Sequence, residues 1–219
     1  KSRNAKIAPS SSDIDTEETV RRSSLETMRV MSLATLFKLY GGQRHPKIES
    51  YEVLQERACL TEYRYMPHGA TVIYISHEWA GSEHPDPRGD QMYHLLLLLE
   101  RLQRGDVSRT EMDAFHSILY KHTHSTTAED WKCMLDPQKT FVFYDGFCVP
   151  RENRDEAFRM IPEFIKRCDF MIILAPGCTH SNKMDPRTGR KMNLCFRTYR
   201  VSARCVFEMF SSFLTTKGG

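Results

Sequence analysis

Three short apolar runs constrain this chain most: residues 71–76 (Thr-Val-Ile-Tyr-Ile-Ser), 140–145 (Thr-Phe-Val-Phe-Tyr-Asp) and 169–175 (Asp-Phe-Met-Ile-Ile-Leu-Ala). Each is rich in β-branched or aromatic side chains, which fit the pleated surface of a strand. None alternates apolar with polar, so each needs cover on both faces. Strands of that kind separated by helices form a parallel sheet between helical layers. The separators agree, because residues 91–102 are Leu-rich and Phe158, Ile161, Phe164 and Ile165 recur at helical spacing within 156–167. The five consecutive leucines at 95–99 read as core and interhelix packing. The expected class is an α/β doubly wound parallel sheet.

Ahead of the sheet, Leu33, Leu36, Phe37 and Tyr40 recur at i, i+3, i+4 and i+7, with Val30 one turn earlier and Met28 and Met31 at the edge of the face. Gly41-Gly42 stops the pattern as a helix C-terminus should. A weaker helix is expected over 48–60, and Pro67-His68-Gly69 breaks the chain before the first strand. The organisation is then a flexible leader over 1–26, an N-terminal helical segment over 27–68 and an α/β domain over 69–219. The leader is Ser-, Arg- and Glu-rich and has too little apolar surface to offset the entropy of ordering. Its Arg-Arg-Ser-Ser run at 21–24 reads as solvated linker. A polar helix is expected over 108–120, a His/Thr/Ser-rich connection over 121–128 and a short piece at 131–135 that packs back on the domain.

Composition narrows the function. Lys and Arg number 31 against 28 Asp and Glu, a formal charge of +3 that gives no footprint for nucleic acid. No apolar run nears the roughly 20 residues a membrane helix requires, so no membrane partner is expected. Residues 1–15 lack the apolar stretch of a secretory signal and no Asn-x-Ser/Thr acceptor occurs, which points to the cytoplasm. Seven cysteines without a Cys-x-x-Cys pair read as reduced thiols, and no metal site is expected. Walker A, Gly-x-Gly-x-x-Gly and Gly-x-Ser-x-Gly signatures are missing, which removes the common NTPase, Rossmann and α/β-hydrolase readings. His77-Glu78 has Gly81 where a zinc protease carries its second histidine.

In open parallel sheets ligands bind outside the carboxyl ends of the strands. Here those ends run into Ser76-His77-Glu78-Trp79, Asp145-Gly146-Phe147-Cys148-Val149-Pro150-Arg151 and Pro176-Gly177-Cys178-Thr179-His180. Trp79 offers an aromatic face to a nicotinamide or adenine ring. Arg88 and Arg151 offer guanidinium groups to phosphate. Ser76 and His77 share the rim, and Asp145 suits bracing the loop more than touching substrate.

The Ser-His-x-Trp and His-Pro-Asp-Pro pieces within 76–87, an aromatic-Asp strand, and Ser202-Ala203-Arg204-Cys205-Val206-Phe207-Glu208 resemble, in that order, the Toll/interleukin-1-receptor (TIR) domain. The likeness is greatest to the TIR-like proteins of algae and other protists and covers roughly 72–214. It implies a flavodoxin-like sheet, here truncated to three or four strands, with the last two strand-helix units of a five-stranded TIR sheet missing. On that basis the chain is either a fragment or uses its N-terminal helices to cover the sheet edge.

The resemblance further implies stress or immune-type signalling, assembly with itself or other TIR-like domains, and cleavage of NAD between nicotinamide and ribose, with NAD as substrate and no cofactor. Glu208 matches the catalytic carboxylate, and 146–154 matches the mobile loop. A carboxylate suits that reaction because an anion stabilises an oxocarbenium-like centre more than the ground state. Taking Val206, Met209, Phe210, Phe213 and Leu214 as the buried stripe of the last helix puts Glu208 on its polar side. The insertion at 177–196, with Lys183, Arg187, Arg190, Lys191 and Arg197 in or just after it, is expected as a solvated basic loop. Two other functions stay open: a non-catalytic self-assembly module, and a nucleoside deoxyribosyltransferase-like enzyme.

Overall fold

A computed structural model of the chain describes residues 28–111, 117–118 and 125–215. The expected leader and most of the expected helix at 108–120 lie outside the described residues. In chain order the first elements are β1 (Arg29–Ser32), α1 (Leu33–Tyr40), α2 (Tyr51–Glu56), β2 (Thr61–Glu62), β3 (Thr71–His77), α3 (Asp90–Arg104), β4 (Arg109–Glu111), β5 (Ser125–Thr127) and α4 (Ala128–Met134). There follow β6 (Thr140–Tyr144), α5 (Asp145–Cys148), α6 (Arg154–Arg167), β7 (Phe170–Leu174), β8 (Cys178–Met184), β9 (Lys191–Leu194), α7 (Phe196–Tyr199) and α8 (Ala203–Thr215).

The central sheet has five strands in the order β2-β1-β6-β3-β7. β6, β3 and β7 are parallel, with Ile73 of β3 facing Val142 on one side and Phe170 on the other. β1 runs antiparallel to β6, and β2 antiparallel to β1. Counted in their own sequence, the parallel strands lie in the order 2-1-3. This is the flavodoxin-like arrangement, whose ligand crevice falls where the strand order reverses. The reversal here lies between β3 and β7.

Position in the sheet explains the composition of each strand. β3 is paired on both edges and is buried from Val72 through His77, so a continuous apolar run suits it. β7 lies at the edge, and four of its five residues are only half-buried. In α3 the row Met92, Leu95, Leu96, Leu99 and Leu102 is buried, so Leu95, Leu96 and Leu99 of the leucine run belong to the core, whereas Leu98 is half-buried and Leu97 exposed. Each such side chain is worth roughly 1.5–3 kcal/mol when fully buried. Gly89, ahead of α3, has φ +72°, and a Cβ there would stand 2.4 Å from the carbonyl oxygen of Pro46. In α6, Met160, Ile161, Phe164 and Ile165 are buried, and the Phe164 ring lies 5.1 Å from that of Phe143 in β6.

Several local expectations are corrected. Val30 and Met31 belong to β1 and not to the first helix, which starts after Ser32, whose Oγ accepts from the Thr35 backbone N–H at 3.1 Å. The sheet therefore has more than three or four strands. The N-terminal segment flanks β6 with strands as well as helices. The helix expected over 48–60 is a six-residue helix, α2, followed by β2. Residues 109–111, expected to be helical, form β4 and pair with β5. The expected loop at 146–154 is taken up by α5 and a 3₁₀ turn at Arg151–Asn153. The 177–196 insertion holds the β8-β9 hairpin. All seven cysteines are free thiols.

Candidate functional site

The carboxyl end of β3 carries a buried polar network. Ser76 Oγ donates to Glu208 Oε2 at 2.5 Å, and because its only proton goes there, Tyr199 donates to Ser76 Oγ at 2.6 Å. Arg204 Nε donates to Glu208 Oε1 at 3.1 Å, one helical turn away in α8, and its Nη2 donates to Asp145 Oδ2. Trp79 Nε1 donates to the same Asp145 oxygen at 2.9 Å. His77 Nε2 lies 2.7 Å from Asp145 Oδ1, and its Nδ1 lies 2.7 Å from Gln91 Oε1. Gln91 Nε2 donates to the Glu78 carbonyl, which fixes the amide orientation and makes Oε1 the acceptor for the imidazole. Both ring nitrogens therefore face acceptors, and the ring stacks on Tyr144 with centroids 4.3 Å apart. Arg204 thus bridges the two carboxylates, and His77 hydrogen-bonds Asp145 through its other oxygen.

Environment separates the two carboxylates. Burial pushes Glu208 above its ordinary value, and the Arg204 charge only partly opposes this. Burial would also push Asp145 up, but the Arg204 and His77 charges, with hydrogen bonds from His77 and Trp79, outweigh it and hold Asp145 below the usual carboxylate range. Arg204 loses solvation too, and its two carboxylates more than restore its charge. Arg154 stacks over Trp79 at 4.3 Å, and its pKa is lowered, first by burial and then by the neighbouring Arg151 charge.

Of the residues singled out in the sequence, Ser76, His77, Trp79, Asp145 and Glu208 come together. Arg88 does not join them: it is exposed and pairs with Asp90. Arg151 is also exposed and donates to the Glu83 carbonyl at 2.6 Å, facing a different cleft. Glu208 sits on the opposite side of its helix from the expected one. The buried row of α8 is Cys205, Glu208 and Ser211 with Phe213, whereas Phe210 and Leu214 are exposed at 49% and 86%. The sequence reading missed Arg204, Tyr199 and Gln91 as partners. The i, i+4 spacing of Arg204 and Glu208 was the available signal.

Beside the network opens a cavity of about 170 Å3, lined by Glu78, Trp79, His180, Lys183, Ser202 and Arg204 among others. Glu208 does not line it; Arg204 does, and reaches back from its wall to Glu208. Compared with family models, curated proteins and solved structures, the chain matches none. Among the described residues no group of three or more His, Cys, Asp or Glu side chains is arranged to hold a metal ion, and no helix is long and apolar enough to cross a membrane.

Proposed function

We propose that this chain is a TIR-like enzyme that hydrolyses the bond between nicotinamide and ribose in NAD, with Glu208 as the catalytic carboxylate. The observation that carries this reading is the convergence of Glu208 with Ser76, His77, Trp79 and Asp145 at the carboxyl end of β3, beside the reversal of strand order. Nicotinamide leaves as a neutral molecule from a cationic precursor and needs no proton. The remaining task is to stabilise positive charge on the ribose, which an ionised carboxylate in a water-poor site does strongly. Arg204 covers Glu208, so turnover requires that guanidinium to swing towards the cavity and uncover the carboxylate. Asp145 positions Arg204 and Trp79 without touching substrate. A cytoplasmic location, assembly with other TIR-like domains and a role in stress or immune-type signalling belong to the same proposal.

The test is nicotinamide release from NAD by purified wild type and Glu208→Gln at high protein concentration. The variant is expected to lose about 100-fold or more of the rate. Equal rates, or no release by a folded wild type, overturn the reading. Glu208's closure from the cavity and the outward apolar face of α8 favour a second reading, a non-catalytic assembly module. That reading expects concentration-dependent light scattering, lost in Phe210→Ser, with no NAD turnover.

A further inference from the structure

The cavity next to the network holds polar groups that the network leaves unused. His180 in β8 is 2% exposed. Its Nδ1 accepts from the backbone N–H groups of Asn182 and Lys183 at 3.0 and 2.9 Å, so the ring proton sits on Nε2. Burial, with the Lys183 charge nearby, keeps this imidazole below its ordinary pKa and hence neutral. Among the described residues the Nε2–H finds no acceptor. Glu78 lines the same cavity, and its buried Oε2 finds no donor among the described residues. Arg204 engages Glu208 and Asp145 through Nε and Nη2, which leaves Nη1 without a hydrogen-bond partner among the described residues. Lys183 has no carboxylate within ion-pair distance among them.

An unpaired polar atom in a buried setting costs about 1–3 kcal/mol, so Glu78 Oε2 beside this cavity is best explained by a ligand donor that meets it, with the solvent-reachable His180 Nε2–H as a donor to the same ligand. Three nitrogen donors, two of them cationic, suit an anionic cluster of oxygens. The lone carboxylate suits a hydroxyl donor and repels a second anion. A phosphorylated sugar carries both features in one small molecule. The volume of about 170 Å3 lies below the roughly 300–1,000 Å3 of pockets that enclose drug-sized ligands, so it fits one sugar phosphate and not a whole dinucleotide.

We propose that this cavity is a binding site for a sugar phosphate, with Lys183, Arg204 Nη1 and His180 Nε2 on the phosphate and Glu78 on a sugar hydroxyl. The proposal deepens the NAD reading, on whose site it rests, by naming where one ribose phosphate of the substrate is anchored.

The experiment is calorimetric titration of the full chain with ribose 5-phosphate, inorganic phosphate and ribose as separate probes. Ribose 5-phosphate is expected to bind at least ten-fold more tightly than either part. Glu78→Gln, nearly isosteric, and His180→Phe are each expected to weaken it about ten-fold or more, the effect of one charged or buried hydrogen bond. Inorganic phosphate binding as tightly as ribose 5-phosphate, no binding at millimolar concentration, or unchanged affinity in a folded Glu78→Gln each overturns the proposal. If His180→Phe does not fold, Glu78→Gln decides alone. NAD cleavage by wild type without ribose 5-phosphate binding removes the subsite and leaves the reaction. Binding without NAD cleavage removes the reaction and leaves the subsite.

Discussion

Arg204 holds this site together at the level of single residues, although the motif points to Glu208. It is the guanidinium that both carboxylates share, and its removal leaves two buried carboxylates without their common cation. Arg204→Met is therefore expected to lower the unfolding free energy by about 3–5 kcal/mol in urea titrations. Arg204→Lys is expected to recover only part of that, because an ammonium cannot fork to both carboxylates. The carboxylates also predict opposite pH responses. Asp145 has a folded pKa below its unfolded one, so its contribution is present above about pH 4 and is lost as pH falls towards the folded value. Acid unfolding of wild type should carry this limb, and Asp145→Asn should lose it. Glu208 has a folded pKa above the ordinary 4.5, so its ionisation costs stability as pH rises through that value. Under the proposed reaction the same ionisation switches catalysis on, so nicotinamide release rises with pH, with a midpoint above 4.5.

Among the elements, the boundary between β1 and α1 and the face of α8 show what the sequence could convey. Strands β3, β6 and β7 were legible because each is an unbroken apolar run, and α3 and α6 because their inner rows follow helical spacing. β1 was not. It has four residues, and Val30 falls in phase with the apolar row of α1, so periodicity merged the two elements. The signal that separates them is Ser32, which caps the helix. Ser32→Ala is expected to cost about 1 kcal/mol, read by thermal or urea unfolding, if that cap acts as its geometry indicates. In α8 the apolar residues Phe210 and Leu214 suggested the core side, yet the inner side is polar and held by Ser76 and Arg204. Periodicity assumes that apolar side chains mark the interior. A buried charge network defeats that assumption. Ser76 and His77 at the end of β3 and Asp145 just after β6 are legible from the strand ends, whereas Arg88 and Arg151 share only their charge with a phosphate site and lie elsewhere.

Over the whole molecule, the sheet is secured unequally at its two edges. On one side β1 and β2 extend it beyond β6; on the other, no strand among the described residues pairs with the far side of β7. β3 hydrogen-bonds to neighbours along both edges, so its amides open only when the domain unfolds. β7 has one partner and half-buried side chains, and so opens locally at lower free energy. Hydrogen exchange should then rank β3 slowest, with β7 exchanging faster at the same pH and temperature. The network spans this gradient, since Ser76 and His77 sit on β3, Asp145 follows β6, and Arg204 and Glu208 come from the last helix. Because these groups are bound to one another, releasing one should loosen the helix from the sheet. Arg204→Met is therefore expected to speed exchange in Ala203–Thr215 while β3 stays the slowest strand. Uniform acceleration across all strands would instead mean that the network stabilises the domain as one unit and does not specifically dock its final helix.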